Sequence, residues 1–323
     1  MKVLVIQNRI GMGDMVIFLP YIEAISKYYK VPVSILVKEN TKSSEFLSDS
    51  PLIDQIIILE RDDKNKIGKH YGFKGTIKLA NDLKEKKFDK VFIFNSSLRY
   101  ALIARLAQIK KIYQYQLFSK RNQNIIDTAK SFIKKKIDLE VESNPAIFIN
   151  PKKINDAKNK YKISNKNINI LLGVGGSGPT KRVSTEKFIE FMSLCNEDLD
   201  CRFFLAAGKN EVEKKIIDKI LNSEHKNKCI ALNDLKISEI LPIIKNCNIS
   251  ICNDTGFSHL SAALDVQTIV LMADTPMLYG SYSPKMHPII PDGEKTVTHK
   301  TLGKDKINPE KIFNKMKIIL GLS

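Results

Sequence analysis

Apolar positions along the chain follow two alternating periods. Short runs of apolar, often β-branched residues are followed by longer segments in which apolar residues recur every three or four positions. In the first half, the runs predict strands over residues 3–7, 33–37, 56–59 and 90–94, and the longer segments predict helices over residues 15–29, 43–47, 77–86, 98–107 and 125–137. This alternation is typical of a parallel sheet covered by helices on both faces.

The alternation is interrupted once and then resumes. Proline and asparagine cluster at Ser143-Asn144-Pro145 and at Asn150-Pro151, which indicates a connection between domains. Beyond it, strands are predicted over residues 168–173, 202–206, 249–252 and 268–272, and helices over residues 185–194, 212–221, 237–245, 257–264 and 307–320. We therefore predict an α/β protein with two doubly wound, Rossmann-like domains, residues 1–150 and 151–323. Ligands are expected at the carboxyl ends of the strands.

Positive charge is concentrated in the first half of the chain. The net charge is +17, and residues 1–160 carry 30 Lys and Arg against 17 Asp and Glu, whereas residues 161–323 carry 22 against 18. Residues 90–136 contain eleven basic residues and a single acidic one, Asp127. An exposed helix face explains part of this excess, and a polyanionic partner explains its one-sidedness. Nucleic acid is not the expected partner, because no helix-turn-helix, RNA-recognition or zinc-finger signature accompanies the charge.

The cysteines and the apolar runs indicate the cellular compartment of the protein and whether it binds a cofactor. All five cysteines fall in the second half and none are spaced as C-x-x-C, which predicts reduced thiols without a disulfide framework or a zinc site. No run reaches the ~18 apolar residues of a membrane span, and no cleavage site follows Met1. We therefore expect a cytoplasmic protein. No carboxylate pair has an evident metal-binding spacing, so neither a metal nor another bound cofactor is expected.

The first glycine motif, GMGDMVIFLP, spans residues 11–20 directly after the first predicted strand. Glycine permits a tight turn there, and Asp14 falls where a helix begins, so that its side chain could simply cap the helix. The dinucleotide fingerprint G-x-G-x-x-G fits worse, because its third glycine position is Val16. A Walker A loop is absent from the sequence.

Two further motifs follow strands of the second domain. The sequence GVGGSGPTKR of residues 173–182 offers successive backbone N–H groups that can wrap a phosphate, and Lys181 can add a positive charge. A flexible linker is the alternative, although linkers seldom lie between a buried strand and a helix. The sequence NDTGFSHLSAAL of residues 253–264 places Asp254 and Thr255 at a helix N-terminus, which suits an anion. Alternatively, Asp254 caps this helix and His259 is a satisfied buried histidine.

In order and spacing, these motifs resemble glycosyltransferase family 9, the heptosyltransferases. Members of that family begin with G-D-x-x-x-x-x-P, carry a glycine-rich loop followed by lysine, have a strand ending in G-x-x-E, and contain D-T/S-G-x-x-H-L. The matching residues are Gly13-Asp14 with Pro20, Gly175-Gly176-Ser177 with Lys181, Gly208 with Glu211, and Asp254-Thr255-Gly256 with His259. The resemblance covers nearly the whole chain.

The resemblance implies a GT-B fold, in which two Rossmann-like domains face each other across a cleft, the first binding the acceptor and the second the nucleotide-sugar. It implies that Asp14 is the catalytic base, Lys181 contacts phosphate, and Glu211 contacts the ribose. Asp254, Thr255 and Gly256 would contact the sugar and the diphosphate, and Gly175, Gly176, Ser177 and His259 complete the expected donor site. The implied reaction is an inverting transfer of a sugar, heptose from ADP-heptose, to a lipopolysaccharide-core or related glycolipid.

The chain departs from the family pattern in two places. Where the family usually has F-G-x-T-x-P, residues 271–276 read LMADTP, and the tryptophan that commonly follows the lysine is replaced by Val183. The nucleotide contacts of that loop, and with them the donor, therefore stay open. Another sugar-nucleotide enzyme of the same fold, such as an epimerase, is the alternative and would turn over the donor without an acceptor. A member retained only for binding fits less well, because Asp14 is present.

The basic first half suits an acceptor that carries phosphates and carboxylates. We expect Lys134, Lys135 and Lys136 to bind this anionic glycolipid. The cytoplasmic face of the inner membrane is itself anionic, so peripheral contact of the protein with that face is also expected.

Overall fold

The computed structural model describes residues 1–116, 124–176 and 178–322. The chain divides into two compact units, residues 1–148 and residues 149–323. Each unit has its own parallel sheet and its own helices, so the prediction of an α/β protein with two Rossmann-like domains is confirmed. Ser177, one of the expected donor-site residues, lies outside the described residues.

The first unit is built on a five-stranded sheet of order β3-β2-β1-β4-β5, and every pair in it is parallel. Its strands are β1 (Val3–Ile6), β2 (Val33–Val37), β3 (Ile53–Ile58), β4 (Lys90–Ile93) and β5 (Lys111–Gln114). Its helices are α1 (Met12–Tyr29), α2 (Ser43–Phe46), α3 (Gly72–Glu85), α4 (Leu98–Leu106) and α5 (Ile125–Ile137).

Both faces of this sheet are buried by helices, because successive side chains of a strand point to opposite faces. On one face, Leu4 and Ile6 of β1 join a core with Leu79 of α3 and Ile103 of α4. On the other face, aromatic rings join the end of β4 to α1 and α5, and the ring of Phe94, the residue after β4, lies 5.3 Å from those of Phe18 and Phe132. This double coverage explains why β1, the central strand, is apolar throughout.

The second unit contains a six-stranded parallel sheet of order β11-β10-β9-β6-β7-β8. Its strands are β6 (Ile168–Gly173), β7 (Cys201–Ala206), β8 (Cys229–Ala231), β9 (Ile249–Asn253), β10 (Thr268–Leu271) and β11 (Met286–Ile289). Its helices are α6 (Pro151–Lys160), α7 (Thr185–Asp198), α8 (Glu211–Leu221), α9 (Ile237–Lys245), α10 (Gly256–Ala263) and α11 (Pro309–Leu320). Short 3₁₀ helices cover Glu39–Thr41, Lys226–Lys228, Met277–Gly280 and Lys304–Lys306.

Strand order places the conspicuous loops of each unit. The order reverses between β1 and β4 in the first unit and between β6 and β9 in the second, so the loops after those strands diverge and leave a crevice at the carboxyl edge. The loop that leads to Asp14 follows β1, the glycine-rich loop follows β6, and Asp254 follows β9. The sequence motifs therefore lie at the two positions where such a fold binds ligands.

No helix in the described part of the chain is long and apolar enough to cross a membrane. All five cysteines are free, and four of them are buried.

Candidate functional site

Asp14 lies in the first turn of α1 but does not cap it. The N-cap position is Gly11, whose φ of 101° is a conformation that favours glycine, and no side chain caps the helix there. Instead, Arg9 Nε donates a hydrogen bond of 3.0 Å to Asp14 Oδ1, and both side chains remain partly exposed. The alternative that Asp14 is a helix cap is therefore wrong, and its carboxylate is held at the loop surface by a cation.

The glycine-rich loop after β6 is fixed by a buried carboxylate. Glu213 of α8 accepts the N–H of Gly176 at 2.8 Å with Oε1 and the N–H of Gly208 with Oε2. The N–H of Gly176 is thus already taken by a carboxylate, where the sequence suggested that it would face a phosphate. The loops after β6 and β7 are joined through one side chain that the motif analysis did not select.

Asn253 also shapes this loop from inside the fold. Its side chain is fully buried, donates to the carbonyls of Val174 at 2.9 Å and Gly175 at 3.1 Å, and accepts the N–H of Val183 at 3.2 Å. A buried amide must have such partners, since an unsatisfied polar group costs about 1–3 kcal/mol. A polar residue at the end of the apolar run 249–252 was the sequence signal for this role.

Asp254 is the centre of a buried polar chain. Lys181 Nζ lies 3.1 Å from Asp254 Oδ2, and His259 Nε2 lies 3.7 Å from Asp254 Oδ1. On its other side, His259 Nδ1 is 2.9 Å from the Tyr282 hydroxyl, and the two rings stack with centroids 5.6 Å apart. Burial alone would raise the pKa of Asp254, but the neighbouring His259 and the charge of Lys181 hold that pKa well below its usual range.

This chain decides between the alternatives left open for Asp254 and His259. The N-cap of α10 is Thr255, so Asp254 is not a helix cap. His259 is buried, its Nδ1 lies within hydrogen-bond distance of the Tyr282 hydroxyl, and its Nε2 faces Asp254 at 3.7 Å, as expected of a core histidine. We conclude that His259 positions the Asp254 carboxylate. Tyr282, which the sequence motifs do not include, orients the imidazole.

A second cationic side chain lies beside the start of α10. A Cβ atom placed on Gly176 would be 3.0 Å from Arg182 Cγ and 3.4 Å from Thr255 Cγ2, so these three residues are neighbours. Arg182 Nε and Thr255 Oγ1 are both buried and have no hydrogen-bond partner among the described residues. Together with the N-terminus of α10 at Gly256, they form an electropositive, incompletely satisfied corner that suits an anion.

The other expected site residues occupy different surroundings. The Glu211 side chain is 79% exposed and pairs with Lys214 at 2.9 Å, so it is open to solvent at the start of α8. Lys134, Lys135 and Lys136 are exposed at the C-terminal end of α5. Lys134 is paired with Asp138 at 2.9 Å and Glu140 at 3.2 Å, whereas Lys135 and Lys136 have no ion pair within the described residues.

The loop that departs from the family pattern is closed by Asp274. Its Oδ1 accepts the N–H groups of Leu302 at 2.9 Å and Lys300 at 2.8 Å, which lower the pKa of this carboxyl. Lys300 and Leu302 both have positive φ, so the carboxylate compensates a strained turn. In residues 1–116, 124–176 and 178–322, no group of three or more His, Cys, Asp or Glu is arranged to hold a metal ion.

Comparisons with known proteins identify relatives over the whole chain. Lipopolysaccharide heptosyltransferase 1 of Campylobacter coli is 20% identical over 352 aligned positions, which cover 99% of each chain. The structure of E. coli ADP-heptose lipopolysaccharide heptosyltransferase II is similar with a TM-score of 0.74 and 19% identity, covering 99% of this chain and 98% of that one. A family 9 glycosyltransferase from Veillonella parvula gives a TM-score of 0.77 at 16% identity, covering 100% and 98%.

The structural likeness shows a shared fold, and the family model shows membership. The model described as glycosyltransferase family 9 (heptosyltransferase) matches residues 76–302, a range that contains the glycine-rich loop and Asp254. Asp14 lies before that range. Because the match covers well over half of the chain, the protein belongs to glycosyltransferase family 9, the heptosyltransferase family, and is a glycosyltransferase.

Proposed function

We propose that this enzyme transfers a heptose from ADP-heptose to an anionic glycolipid of the lipopolysaccharide-core type, with inversion at the anomeric carbon. Solved E. coli heptosyltransferases of the same fold contain ADP or ADP-2-deoxy-2-fluoro heptose, and the Campylobacter coli relative is named for lipopolysaccharide. The observation that carries the proposal is the corner of Lys181, Arg182 and Thr255 beside the N-terminus of α10.

The donor side of the proposal concerns the departing diphosphate. The Lys181 ammonium has three N–H donors, so one bond to Asp254 orients it and leaves two for phosphate oxygens. At the helix N-terminus, the Arg182 Nε–H adds a charged donor and the Thr255 hydroxyl adds a neutral one. Asp254, held ionised by its neighbours, would accept hydrogen bonds from sugar hydroxyls. The Glu211 carboxylate is exposed and, unlike that of Glu213, does not bind the backbone of the neighbouring loops, which suits the proposed contact with the ribose.

The chemical step assigned to Asp14 is a proton transfer. The acceptor hydroxyl attacks the anomeric carbon from the face opposite the leaving group, and its proton passes to the Asp14 carboxylate. A new carbon–oxygen bond forms to the acceptor while the bond to the β-phosphate breaks, and its electron pair leaves with the diphosphate. Since Arg9 is hydrogen-bonded to Oδ1, we assign the proton to Oδ2.

The acceptor side rests on a cavity in the first unit. A cavity of about 790 Å³ lies between the segment after β5 and α5, and Tyr115, Asn124, Asp127, Phe132 and Lys135 are among its lining residues. The aromatic, amide and acidic groups suit a sugar with its hydroxyls, and the lysines on the lining suit anionic substituents on that sugar. We propose that Lys135 and Lys136 contact those anions, and that Lys134, which already has two acidic partners, contributes less. Such an acceptor is anchored in a membrane, so we place the enzyme at the cytoplasmic face.

The decisive experiment is a donor screen. The protein is incubated with ADP-heptose and with UDP-, GDP- and dTDP-sugars, with and without a core glycolipid, and the product anomer is assigned by NMR. We expect turnover that depends on both ADP-heptose and acceptor and that inverts the anomeric configuration. Asp14→Ala should abolish turnover and keep ADP binding, whereas Glu85→Ala, which removes an exposed carboxylate of the same unit, should leave both turnover and ADP binding unchanged. Donor turnover without acceptor, or a fully active folded Asp14→Ala, contradicts the proposal.

A further inference from the structure

Helix α4 carries an apolar stripe on the side that faces solvent. Leu98, Leu102 and Leu106 recur at i, i+4 and i+8 and are 56%, 44% and 46% exposed. We call these three residues the α4 stripe. Residues with this spacing share one helix face, and at 1.5 Å per residue the stripe is about 12 Å long.

The stripe is separate from the apolar face that anchors α4 to the fold. The core contacts of this helix are made by Tyr100, Ile103 and Ala104, which are all buried and point to the opposite side of the helix. None of the three leucines belongs to the core cluster, and each leaves apolar surface in water. Single exposed apolar residues are ordinary, but an ordered row of large ones marks an interaction surface.

The surroundings of the stripe are basic. Arg105 is exposed within α4, and Lys110 and Lys111 are exposed directly after it. A groove of about 560 Å³ lies beside the first two leucines of the stripe and is lined by Leu98, Leu102, Arg105, Ile112 and Lys136, among other residues. Among the described residues, Arg105 and Lys110 have no acidic partner, so their charges are available to an external anion.

We propose that the α4 stripe docks the enzyme onto an anionic phospholipid surface, with the leucines entering the headgroup region and the surrounding basic residues contacting lipid phosphates. Apolar side chains bordered by Lys and Arg are the chemistry of helices that lie in a membrane interface. A protein partner for such a stripe would need an acidic rim, whereas a bilayer supplies apolar depth and negative charge together. This inference builds on the proposed function, in which the acceptor lies in a membrane.

The test measures lipid binding without any substrate. Full-length protein is mixed with vesicles of phosphatidylethanolamine and phosphatidylglycerol, or of phosphatidylcholine alone, and bound protein is quantified by flotation. We expect binding only to the phosphatidylglycerol vesicles and a decrease with added salt. Leu102→Gln with Leu106→Gln, which leaves the charge unchanged, should weaken binding about tenfold or more. Arg105→Gln with Lys110→Gln should weaken it about 25-fold, since each charge contributes about fivefold.

Matched controls lie in the second unit. Ile318→Gln removes an apolar side chain that is 76% exposed, and Lys152→Gln with Lys166→Gln removes two exposed charges. Both should bind vesicles within about twofold of the wild type, since surface substitutions elsewhere have small effects. Wild-type binding by the double leucine variant would overturn the proposal. The proposal would also be overturned if the double leucine variant sedimented differently from the wild type without lipid, because the stripe would then be a contact between two copies of the protein.

These measurements contain neither nucleotide-sugar nor glycolipid, so they do not depend on the proposed transfer activity. If the transferase assignment fails, vesicle binding is still expected. If the docking assignment fails, the transferase assignment can still hold. The double leucine variant and the wild type should then have equal turnover on a soluble, delipidated acceptor.

Discussion

Two glutamates of helix α8 show how strongly the environment of a residue decides its role. Glu211 begins the helix, is exposed and pairs with Lys214, whereas Glu213 is buried and binds the backbone of two loops. The motif G-x-x-E selects Glu211, because the pattern records spacing and not burial. The carboxylate that fixes the glycine-rich loop was therefore missed, although Asn210, which caps the helix at the Glu213 N–H, indicated where the first turn lies.

Substitution of these glutamates separates their roles. Glu213→Gln retains the shape of the side chain but places an N–H donor against a backbone N–H, so we expect a loss of about 1.5–3 kcal/mol of unfolding free energy and weaker ADP binding. Glu211→Gln should change the unfolding free energy by less than about 0.5 kcal/mol. Urea unfolding and calorimetric ADP titration measure both quantities. Equal stability of the two variants would refute the role given to Glu213.

Asp254 should make stability depend on acid in a defined direction. Because its folded-state pKa is depressed, it stabilises the protein at neutral pH, and this contribution is lost as the pH falls from about 4 towards the depressed value. Asp254→Asn leaves Lys181 and His259 without their partner and should cost about 3–5 kcal/mol at neutral pH. Urea midpoints between neutral pH and about pH 3 should show this difference narrowing in acid.

An exposed ion pair provides the comparison for that titration. Asp265 pairs with Lys285 at 2.7 Å at the surface, so Asp265→Asn should cost about 0–1 kcal/mol. A stability difference for Asp254→Asn that stays constant down to acid pH would mean that its carboxylate is not held ionised by the fold.

Among the secondary-structure elements, the central strands followed from the sequence and several edge strands did not. Strands β5, β8 and β11 lie at sheet edges, and the sequence pattern does not predict them. Lys and Gln flank the apolar residues of β5, His and Pro interrupt β11, and β8 has only three residues. An edge strand needs only one neighbour and less burial, so hydrophobic periodicity is weak there. The sequence indicates a connection at the start of helix α6 for a similar reason, because Ala157 is the single buried residue of this helix.

The loop between β7 and α8 has no room for a larger side chain at Gly208. An alanine Cβ at Gly208 would overlap the Glu213 carboxylate, whereas at Gly178 its nearest neighbour would be Lys181 Cγ at 3.9 Å. We expect Gly208→Ala to lower the unfolding free energy by about 1–3 kcal/mol and Gly178→Ala to change it far less. Thermal or urea unfolding of both variants checks this. Similar losses at the two positions would mean that the loop after β7 shifts freely.

The molecule as a whole consists of two units that each have a complete parallel sheet and a core of their own. The boundary after residue 148 falls close to the boundary expected from Pro145 and Pro151, since polar, proline-containing segments rarely enter a core. The residues of the Asp254 cluster all belong to the second unit, and Asp14 belongs to the first.

Separation of the units tests this division of labour. Residues 149–323 produced alone should unfold cooperatively and bind ADP with an affinity within about tenfold of the full chain, because the residues assigned to the donor are all present. The fragment should have no transferase activity, because it lacks Asp14. Circular dichroism and calorimetry measure folding and binding. A folded fragment that fails to bind ADP would show that the donor site needs the first unit.

The sequence by itself determined the alternation of strands and helices, the two-domain division and the order of the glycine motifs, because these depend on local periodicity and turn chemistry. It also identified the family. Tertiary structure alone decided that Asp14 pairs with Arg9 and does not cap its helix, that Glu213 binds the N–H of Gly176, and that Asp254 lies between Lys181 and His259. These pairings join residues from different loops, and no local pattern records which side chains the strand order brings together.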